Sequence, residues 1–491
     1  MRYLRSILVS MPSLIGWFSL CVTLPPAPVS AAPVLQQRIN AVLAEPRHKK
    51  TTFAVYVCDP KDGQALFEHN ADTALTPASN MKIVTTAAVL DLLGADFNYQ
   101  TTFGLVDGNL SIFAAGDPLT GDPLLAQKKN TDIFALFQRL LSALKQRNMP
   151  IIPGDLIIDD FIFDDVRFHP SWPVEQSNRW YAAQVSGLNF NDNCVDITLK
   201  PAEKAGQPAT FTLMPTTTYV SILNQAATAA AGPNTCWAAR AFDSNHITLR
   251  GAVRHTDTIN VSIERPSAYF GHCLAEYLLA HDIRITGKLV IKQLRDDQGH
   301  LPANLDLLVT HETPLKDVLT RANTDSLNVA AECLFKTLGA YHDLQPNARH
   351  ARGSWASGAN AVAAFLDKIG LDPNQFTIDD GSGLSHQNRI SPRLLATVLA
   401  YMSHHNCSEV FRDSLASPDE GTLKRRRRFA KAQFRNRIMA KTGYVRGAWA
   451  LSGYCKNNRN QWLVFSILAH NKTGISPVQI IDKIVKEIIK S

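Results

Sequence analysis

Strand-like segments at the two ends of the chain most strongly limit how it can fold. Thr52–Cys58 alternates in the manner of a β-strand, and residues 64–69 follow a turn and can return as its hairpin partner. Near the other end, residues 438–440, 445–454 and 461–469 have the same strand character. Because these distant segments can complete one antiparallel sheet, we predict an α+β fold whose sheet draws on both ends of the chain.

Helical segments accompany these strands. Residues 77–93 have the pattern of a helix that Gly94 ends, and residues 315–341 are helical again. The last segment, from Val478 to Ile489, has a clean apolar face. For this last helix, packing on the sheet is favoured over contact with a membrane surface, because its polar face is not strongly basic.

The middle of the chain has a different character. Between residues 97 and 302, short strand-like runs are interrupted by Pro, Gly and Asn, with one convincing helix at 131–147. A length of 491 residues is too great for one ordinary domain. We predict a discontinuous domain formed by residues 32–96 and 303–491, into which residues 97–302 are inserted as a β-rich region of two nested subdomains.

Residues 1–31 have the pattern of a signal peptide. Arg2 and Arg5 precede an apolar stretch, and Ala31 and Ala32 supply small residues at a cleavage site. The apolar stretch is shorter than the roughly 20 residues of a membrane span. We therefore expect an exported protein, periplasmic in a Gram-negative type of cell. Its mature chain keeps seven cysteines, an odd number, and the sequence leaves their pairing open.

Composition and charge exclude several classes of protein. Hydrophobic residues make up 45% of the chain and charged residues 19%, which is typical of a globular protein. A net charge of +7 is too modest to indicate nucleic-acid binding. The basic run at 424–428 is interpreted as a solvated helix face. No CxxC or CxxH spacing occurs, so a structural zinc site is not predicted.

Ser79 and Lys82 form a Ser-x-x-Lys motif at the start of a predicted helix. Their spacing places a hydroxyl and an amine on one helix face. A neutral lysine amine can take the proton of the serine hydroxyl and so activate it as a nucleophile. Ser142 and Lys145 repeat the spacing, but they lie at the polar end of a helix whose dipole favours a charged lysine. We therefore select Ser79.

Ser326 and Asn328 form the only Ser-x-Asn motif in the chain. Two polar side chains with this spacing can point into one cleft. In isolation, helix capping is the favoured interpretation of such a pair.

Lys441, Thr442 and Gly443 form a Lys-Thr-Gly motif at the start of a predicted strand. There a lysine and a hydroxyl can bind a carboxylate, while glycine lets a substrate backbone approach the strand edge. A second copy at residues 472–474 has no strand behind it, so the first copy is preferred.

Taken in order, the three motifs are those of β-lactamases and penicillin-binding proteins. The chain resembles the low-molecular-mass class C penicillin-binding proteins, which are D-alanyl-D-alanine carboxypeptidase/endopeptidases of the penicillin-binding protein 4 type. The resemblance covers nearly the whole mature chain and includes residues 116–119, 189–194 and 380–385. The long separation of Ser79 from Ser326 matches the domains inserted in this family, whereas compact β-lactamases have a short helical segment there.

The resemblance implies an enzyme that needs no metal or organic cofactor, and it implies the roles of four catalytic residues. Ser79 attacks the carbonyl between two D-alanines of a peptidoglycan stem peptide and forms an acyl-enzyme, with Lys82 as the base. Ser326 helps relay a proton to the leaving amine, and Asn328 hydrogen-bonds Lys82 and the substrate. β-Lactams resemble the substrate, form a slowly hydrolysed acyl-enzyme and are expected to inhibit.

The resemblance also implies a substrate-binding set. Lys441 and Thr442 hold the terminal carboxylate beside Gly443, and the N–H groups of Ser79 and Tyr444 form the oxyanion hole. Tyr444 departs from the family pattern, because relatives usually have Ser or Thr after Lys-Thr-Gly. The bulky ring replaces a small hydroxyl, which leaves the preference between carboxypeptidase and endopeptidase activity open.

Asp159 is a further candidate, for binding the cationic amine of a diaminopimelate stem peptide. Relatives have an acidic residue near this position, although Asp159 and Asp160 also fit aspartates that cap a strand end. Two other functions share the motifs. A β-lactamase is disfavoured by the long insertion, and a non-hydrolytic β-lactam-binding or cell-wall-binding protein is disfavoured by the intact motifs.

Overall fold

The computed structural model describes residues 31–342 and 352–491. The predicted signal peptide lies outside the described residues except for its last residue, Ala31, which begins the first helix. Within the described ranges, no helix is both long enough and apolar enough to cross a membrane. The fold is α+β, as predicted, and most of its strand pairs are antiparallel.

The strands are β1 Thr52–Cys58, β2 Ala65–His69, β3 Asn98–Val106, β4 Asn109–Phe113, β5 Ile151–Ile152, β6 Leu156–Asp159, β7 Cys194–Lys200, β8 Thr210–Met214, β9 Ser221–Asn224, β10 Ala227–Thr228, β11 Trp237–Arg240, β12 His246–Arg250, β13 Ala252–Val253, β14 Asp257–Ser262, β15 Arg284–Ile285, β16 Leu289–Ile291, β17 Asp306–Pro314, β18 Ile438–Val445, β19 Ala448–Lys456 and β20 Trp462–His470. The α-helices are α1 Ala31–Leu43, α2 Met81–Leu93, α3 Pro123–Lys128, α4 Ala135–Gln146, α5 Pro266–Leu279, α6 Leu315–Asn323, α7 Asn328–Tyr341, α8 Trp355–Lys368, α9 Pro392–His404, α10 Ser408–Asp413, α11 Gly421–Arg425 and α12 Val478–Ile489.

One five-stranded sheet combines the two ends of the chain. Its strand order is β18-β19-β20-β1-β2, and every neighbouring pair is antiparallel. β1 pairs with β20 along its whole length, from Thr52 opposite His470 to Cys58 opposite Val464. The Lys-Thr-Gly motif lies inside β18, the edge strand. The strand expected at 445–454 begins instead at Ala448, because Gly447 has a φ of +80° and turns the chain into a hairpin.

Helices cover both faces of this sheet. α2, α7, α8 and α9 contribute to a core on one face, and α1 and α12 contribute to a second core on the other. α12 buries its apolar face against the sheet, in agreement with the packing expected from its sequence; the buried side chains are Ile480, Ile481, Ile484, Val485, Ile488 and Ile489. Each such side chain contributes about 1.5–3 kcal/mol of burial free energy.

The middle of the chain builds a separate hydrophobic core. Its main sheet has the order β16-β6-β4-β3-β17, and two three-stranded sheets have the orders β14-β7-β8 and β11-β12-β9. The middle of the chain also contains the helix α5, which was not predicted from the sequence. β17 follows residue 302 and pairs with β3. The division of the chain at residues 96/97 and 302/303, and the two subdomains, stay predictions.

The seven cysteines of the described residues are all free thiols. Six are buried and Cys236 is partly buried; the six are Cys58, Cys194, Cys273, Cys333, Cys407 and Cys455. The cores described above therefore form without disulfide cross-links.

Candidate active site

Ser79 lies in a 3₁₀ turn immediately before α2. The preceding residue, Ala78, has a φ of +48°, a left-handed conformation that non-glycine residues rarely adopt and that is often found at functional sites. Two glycines allow other segments to press on this turn. A Cβ atom at Gly383 would lie 1.8 Å from the Ala78 carbonyl oxygen, and one at Gly443 would lie 2.9 Å from the Pro77 carbonyl oxygen. The turn is therefore fixed from two sides.

The amine of Lys82 is completely buried beside the Ser79 hydroxyl. Lys82 Nζ lies 3.2 Å from Ser79 Oγ, 2.6 Å from Asn328 Oδ1 and 2.8 Å from the Ser382 carbonyl oxygen. The last two atoms can only accept hydrogen bonds. A neutral amine has two N–H groups and one lone pair, so its N–H groups satisfy these two acceptors and its lone pair faces Ser79.

Burial lowers the pKa of Lys82 to about 7, although the nearby charges of Glu332 and Asp380 act to raise it. Burial is also the main cause that raises the pKa of Glu332 to about 7. Glu332 accepts hydrogen bonds from the N–H groups of Gly381 at 3.0 Å and Ser382 at 2.8 Å. It therefore holds the peptide segment whose carbonyl contacts Lys82.

Glu332 was not predicted from the sequence. It lies one helical turn after Asn328 in α7, where every residue from Asn328 to Ala340 is buried. The spacing could have identified Glu332 as a site residue. Side chains four residues apart in a helix project from the same face, and Glu332 is four residues after the motif asparagine.

The segment 380–385, noted above for its resemblance, wraps around the carboxylate of Asp380. Oδ1 accepts from the Gly383 N–H at 2.7 Å, and Oδ2 accepts from the Ser385 N–H at 2.7 Å and Trp172 Nε1 at 2.8 Å. A fully buried carboxylate with several donors fixes a loop firmly. The Ser382 carbonyl is thereby held toward Lys82.

Lys441 connects the strand β18 with the Ser-x-Asn motif. Its Nζ donates to Ser326 Oγ at 2.9 Å and to the Thr442 carbonyl oxygen at 3.0 Å. Ser326 has a φ of +65°, a second left-handed residue in the site. Burial, followed by the positive charge of Lys82, holds the pKa of Lys441 well below its usual range. Burial and the charge of Lys82 thus both disfavour protonation of Lys441.

Asp325, the residue before Ser326, is fixed by two arginines. Arg321 Nη1 lies 3.0 Å from its carboxylate, and Arg425 Nη1 lies 2.9 Å from it. Arg321 also pairs with Asp122 at 2.7 Å and Asp192 at 3.1 Å, both in the middle part of the chain. This ion-pair network anchors the backbone that carries Ser326.

Amide side chains complete the connections around the site. Asn328 Nδ2 donates to the Tyr181 carbonyl oxygen at 2.7 Å, so the middle of the chain supports the motif asparagine. In the orientation that satisfies both of its ends, Asn80 Nδ2 donates to the Lys441 carbonyl oxygen at 2.8 Å and Oδ1 accepts from Ser452 Oγ at 2.6 Å. Asn80 therefore ties the serine turn to β18 and β19.

Tyr444 presents its ring to solvent at the end of the motif strand. The side chain is 52% exposed, and its ring centroid lies 5.5 Å from that of Trp449 on the paired strand. Thr442 and Gly443 are buried. The bulky ring thus packs beside Trp449, next to the motif residues.

Asp159 forms no hydrogen bond with the motif residues described above; its side-chain partners include Leu294 and Arg295. It is fully buried at the end of β6, accepts from the N–H groups of Leu294 and Arg295 at 2.9 and 2.8 Å, and lies 3.4 Å from Arg295 Nη1. It lines a cavity of about 460 Å³ together with Tyr99 and Arg352. The pairing with Arg295 joins residues far apart in sequence, which sequence patterns do not reveal.

The repeated Ser-x-x-Lys spacing at Ser142 has no comparable surroundings. Ser142 is exposed on α4, and its Oγ donates to the Gln138 carbonyl oxygen at 2.9 Å. Across residues 31–342 and 352–491, no three His, Cys, Asp or Glu side chains are grouped so that they could hold a metal ion.

Comparisons with known proteins agree with this geometry. The sequence profile of the D-Ala-D-Ala carboxypeptidase 3 (S13) family matches residues 35–488. The chain belongs to this S13 family. Membership confirms both the predicted resemblance to D-alanyl-D-alanine carboxypeptidases and the prediction of an enzyme.

Individual relatives cover most of the chain. A D-alanyl-D-alanine carboxypeptidase of Actinomadura sp. (strain R39) is 28% identical over 477 residues, covering 92% of this chain and 83% of the relative. The D-alanyl-D-alanine carboxypeptidase DacB of Haemophilus influenzae is 25% identical and covers 82% of each chain. The crystal structure of penicillin-binding protein 4 (dacB) from H. influenzae superposes with a TM-score of 0.75 at 20% identity, covering 94% of this chain and 100% of that one. This S13 protein therefore has the fold of penicillin-binding protein 4.

Proposed function

We propose that this S13 protein is a serine DD-peptidase that cleaves the bond after a D-alanine in peptidoglycan stem peptides through an acyl-enzyme on Ser79. The observation that carries the proposal is the arrangement around Lys82 Nζ, where two acceptors take the N–H groups and the Ser79 hydroxyl occupies the third position. Buried amines with a pKa near 7 are suited to general-base catalysis at neutral pH.

Acylation begins with proton transfer. Lys82 takes the hydroxyl proton while Ser79 Oγ attacks the carbonyl carbon of the D-alanine, forming a tetrahedral intermediate. The oxyanion is stabilised by the N–H groups of Ser79 and Tyr444, a contribution for which the loss of one donor typically costs about 3 kcal/mol. A positioned general base contributes roughly 10²–10⁴-fold to such a step.

The intermediate collapses when the C–N bond breaks. The leaving nitrogen takes a proton from the Ser326 hydroxyl. Ser326 then regains a proton from Lys82, which had removed it from Ser79. Ser326 Oγ accepts a hydrogen bond from Lys441, so its own hydrogen is available for donation. The amine departs, and the D-alanyl carbonyl stays esterified to Ser79.

The substrate carboxylate completes the electrostatics of the site. Lys441 and Thr442 bind this carboxylate at the leaving residue. The incoming negative charge stabilises the protonated form of Lys441. Because Lys82 and a protonated Lys441 would repel each other, protonation of Lys441 favours a neutral Lys82.

Water then hydrolyses the ester and regenerates Ser79. β-Lactams acylate Ser79 by opening of the ring amide, and the resulting acyl-enzyme hydrolyses slowly, so they inhibit. We also propose that the protein acts in the periplasm after residues 1–31 have been removed. Carboxypeptidase and DD-endopeptidase activities share these steps and differ in the size of the leaving group.

The test compares the mature protein with its Ser79→Ala and Ser142→Ala variants. Each is incubated with a muropeptide that ends in D-Ala-D-Ala and with a cross-linked dimer, and products are followed by mass spectrometry. We expect release of D-alanine or splitting of the dimer by the wild type and by Ser142→Ala, and loss of both by Ser79→Ala. Turnover that survives in Ser79→Ala contradicts the proposed nucleophile. Labelling of Ser79 by a fluorescent penicillin without any turnover supports a stalled binding protein instead.

A further inference from the structure

Positive charge is concentrated in one part of the sequence. No Asp or Glu occurs between Glu420 and Asp482, and this span carries 13 Lys and Arg residues, whereas the whole chain has a net charge of only +7. Its densest part is the basic run in and after α11. We call Lys424, Arg426, Arg427 and Arg446 the cationic rim; all four are exposed.

Lys424, Arg426 and Arg427 of the cationic rim lie in the chain segment on the free side of the motif strand, and Arg446 lies in the turn between β18 and β19. β18 is the edge of its sheet and pairs with β19 on one side. On its other side, Ala440 forms a bridge with Ala416, a few residues before α11. The chain that leaves this bridge therefore brings α11 alongside the open edge that carries Lys441.

α11 also contacts the loop that carries Ser326. The Thr422 N–H donates to the Thr324 carbonyl oxygen at 3.0 Å, and a Cβ atom at Gly421 would lie 2.3 Å from the same oxygen. Arg425 reaches the Asp325 carboxylate at 2.9 Å. These contacts hold the start of the cationic rim against the catalytic loop.

The charges of the cationic rim are not neutralised by the protein. In the part of the chain that the structure describes, no carboxylate lies within 4 Å of the charged groups of Lys424, Arg426, Arg427 or Arg446. Partial desolvation, followed by the neighbouring charges of Arg428 and Arg425, lowers the pKa of Arg426. Like charges that are held together without counter-ions create a local potential that attracts anions.

The cationic rim is placed on the leaving-group side of the scissile bond. In the proposed function, Lys441 and Thr442 bind the carboxylate of the leaving residue, so groups beyond β18 face whatever extends from that residue. In a single stem peptide, the leaving residue is the last residue, so nothing extends beyond it. In a cross-linked substrate, the leaving residue continues into a second peptide that carries free carboxylates.

We propose that the cationic rim binds carboxylates of the second, acidic peptide on the leaving-group side, and so makes cross-linked stem peptides the preferred substrates. This inference rests on the proposed function and adds a specificity determinant to it. It also replaces the interpretation of residues 424–428 as a merely solvated helix face. The exposed ring of Tyr444 lies between Lys441 and Arg446 in sequence and provides an apolar surface for the same peptide.

The test uses two cross-linked muropeptide dimers that both keep the carboxylate of the leaving residue. The other carboxylates of the second peptide are free in one dimer and amidated in the other. The double variant Arg426→Gln/Arg427→Gln is compared with the wild type and with a matched double variant, Lys200→Gln/Lys204→Gln. Both control residues are exposed lysines around the turn between β7 and β8. Circular dichroism establishes that each variant is folded.

We expect the wild type to prefer the free dimer over the amidated one by about tenfold in kcat/KM at low salt, mainly through KM. The preference should fall as salt is added, since exposed charges are screened over about 8 Å at 0.15 M ionic strength. The ratio should approach one in the Arg426/Arg427 variant and stay at its wild-type value in the control.

Other outcomes overturn the inference in distinguishable ways. Equal kcat/KM for the two dimers in the wild type, or an unchanged ratio in the Arg426/Arg427 variant, contradicts a carboxylate-binding rim. Cosedimentation with phosphatidylglycerol vesicles that depends on Arg426 and Arg427, with no change in the ratio, identifies a lipid-binding surface instead. Failure of the wild type to cleave either dimer or a single stem peptide contradicts the proposed function itself.

Discussion

Asn328 Oδ1 lies 2.6 Å from Lys82 Nζ and accepts one of its hydrogens. The other hydrogen of the neutral amine is taken by the Ser382 carbonyl oxygen. The orientation of the lone pair toward Ser79 therefore depends on a side chain from α7 and on a main-chain carbonyl from the 380–385 loop. Each contact suggests an experiment.

The variant Asn328→Asp should acylate slowly at neutral pH. It places a carboxylate beside Lys82, which raises the pKa of the amine and keeps it protonated. We expect a decrease of about 100-fold in the rate constant for acylation by a fluorescent penicillin at pH 7, with partial recovery at higher pH. Asn130→Asp, the same change at an exposed position, serves as the control. An unchanged rate at pH 7 would contradict the role of Lys82 as base.

The pH profile of acylation reports on Lys82 directly. Because the base must be neutral, the rate should rise with pH through a midpoint of about 7. Glu332 acts to raise the pKa of Lys82, so Glu332→Gln should move the midpoint to lower pH. The exposed Glu203→Gln serves as the control. If Glu332 only supports the loop, the rate falls and the midpoint stays in place.

Gly443→Ala should separate the motif strand from the serine turn. The added methyl would lie 2.9 Å from the Pro77 carbonyl oxygen and 3.2 Å from Ala78 Cβ, so β18 must move away from Ser79. We expect a loss of about 100-fold in acylation rate with the circular dichroism spectrum retained. Gly474→Ala, in the second Lys-Thr-Gly copy, places its methyl in open space. Its φ of +76° strains the alanine locally, outside the site, so the variant should still acylate normally. Equal effects of the two changes would argue against this geometry.

Arg321→Gln should destabilise the folded protein. The change leaves the carboxylate of Asp122 buried without its arginine and removes one support of Asp325. Breaking a buried ion pair typically costs about 3–5 kcal/mol of unfolding free energy. Urea unfolding measures the loss, with the exposed Arg38→Gln as reference. A loss below 1 kcal/mol would show that the network contributes little to stability.

Much of the site could be predicted because its chemistry lies in short motifs. Ser79 and Lys82 are one helical turn apart, and Ser326 and Asn328 are two residues apart, so local geometry links each pair. The order of the motifs indicated a family, and the resemblance to that family implied that Lys441 lies in the same cleft as Ser79. The sheet was predictable because β1 and β20 are short, mostly apolar runs rich in β-branched and aromatic residues, one near each end of the chain.

Other parts depended on contacts that have no local pattern. The Ser382 carbonyl is a backbone atom, and any residue type could supply it. The ion pair of Asp159 with Arg295 and the network of Arg321 join residues far apart in sequence. The helix α5 was missed because its surroundings are rich in strands, although Pro266 at its first turn is a typical helix start.

The sheet that joins β1 to β20 has a consequence for how the enzyme becomes competent. Ser79 and Lys82 are synthesised well before Lys441 and the strands that support it. A nascent or truncated chain that lacks β18–β20 therefore presents Ser79 and Lys82 without the strand that carries Lys441. The three motifs can meet only after all the segments that form this sheet have been made.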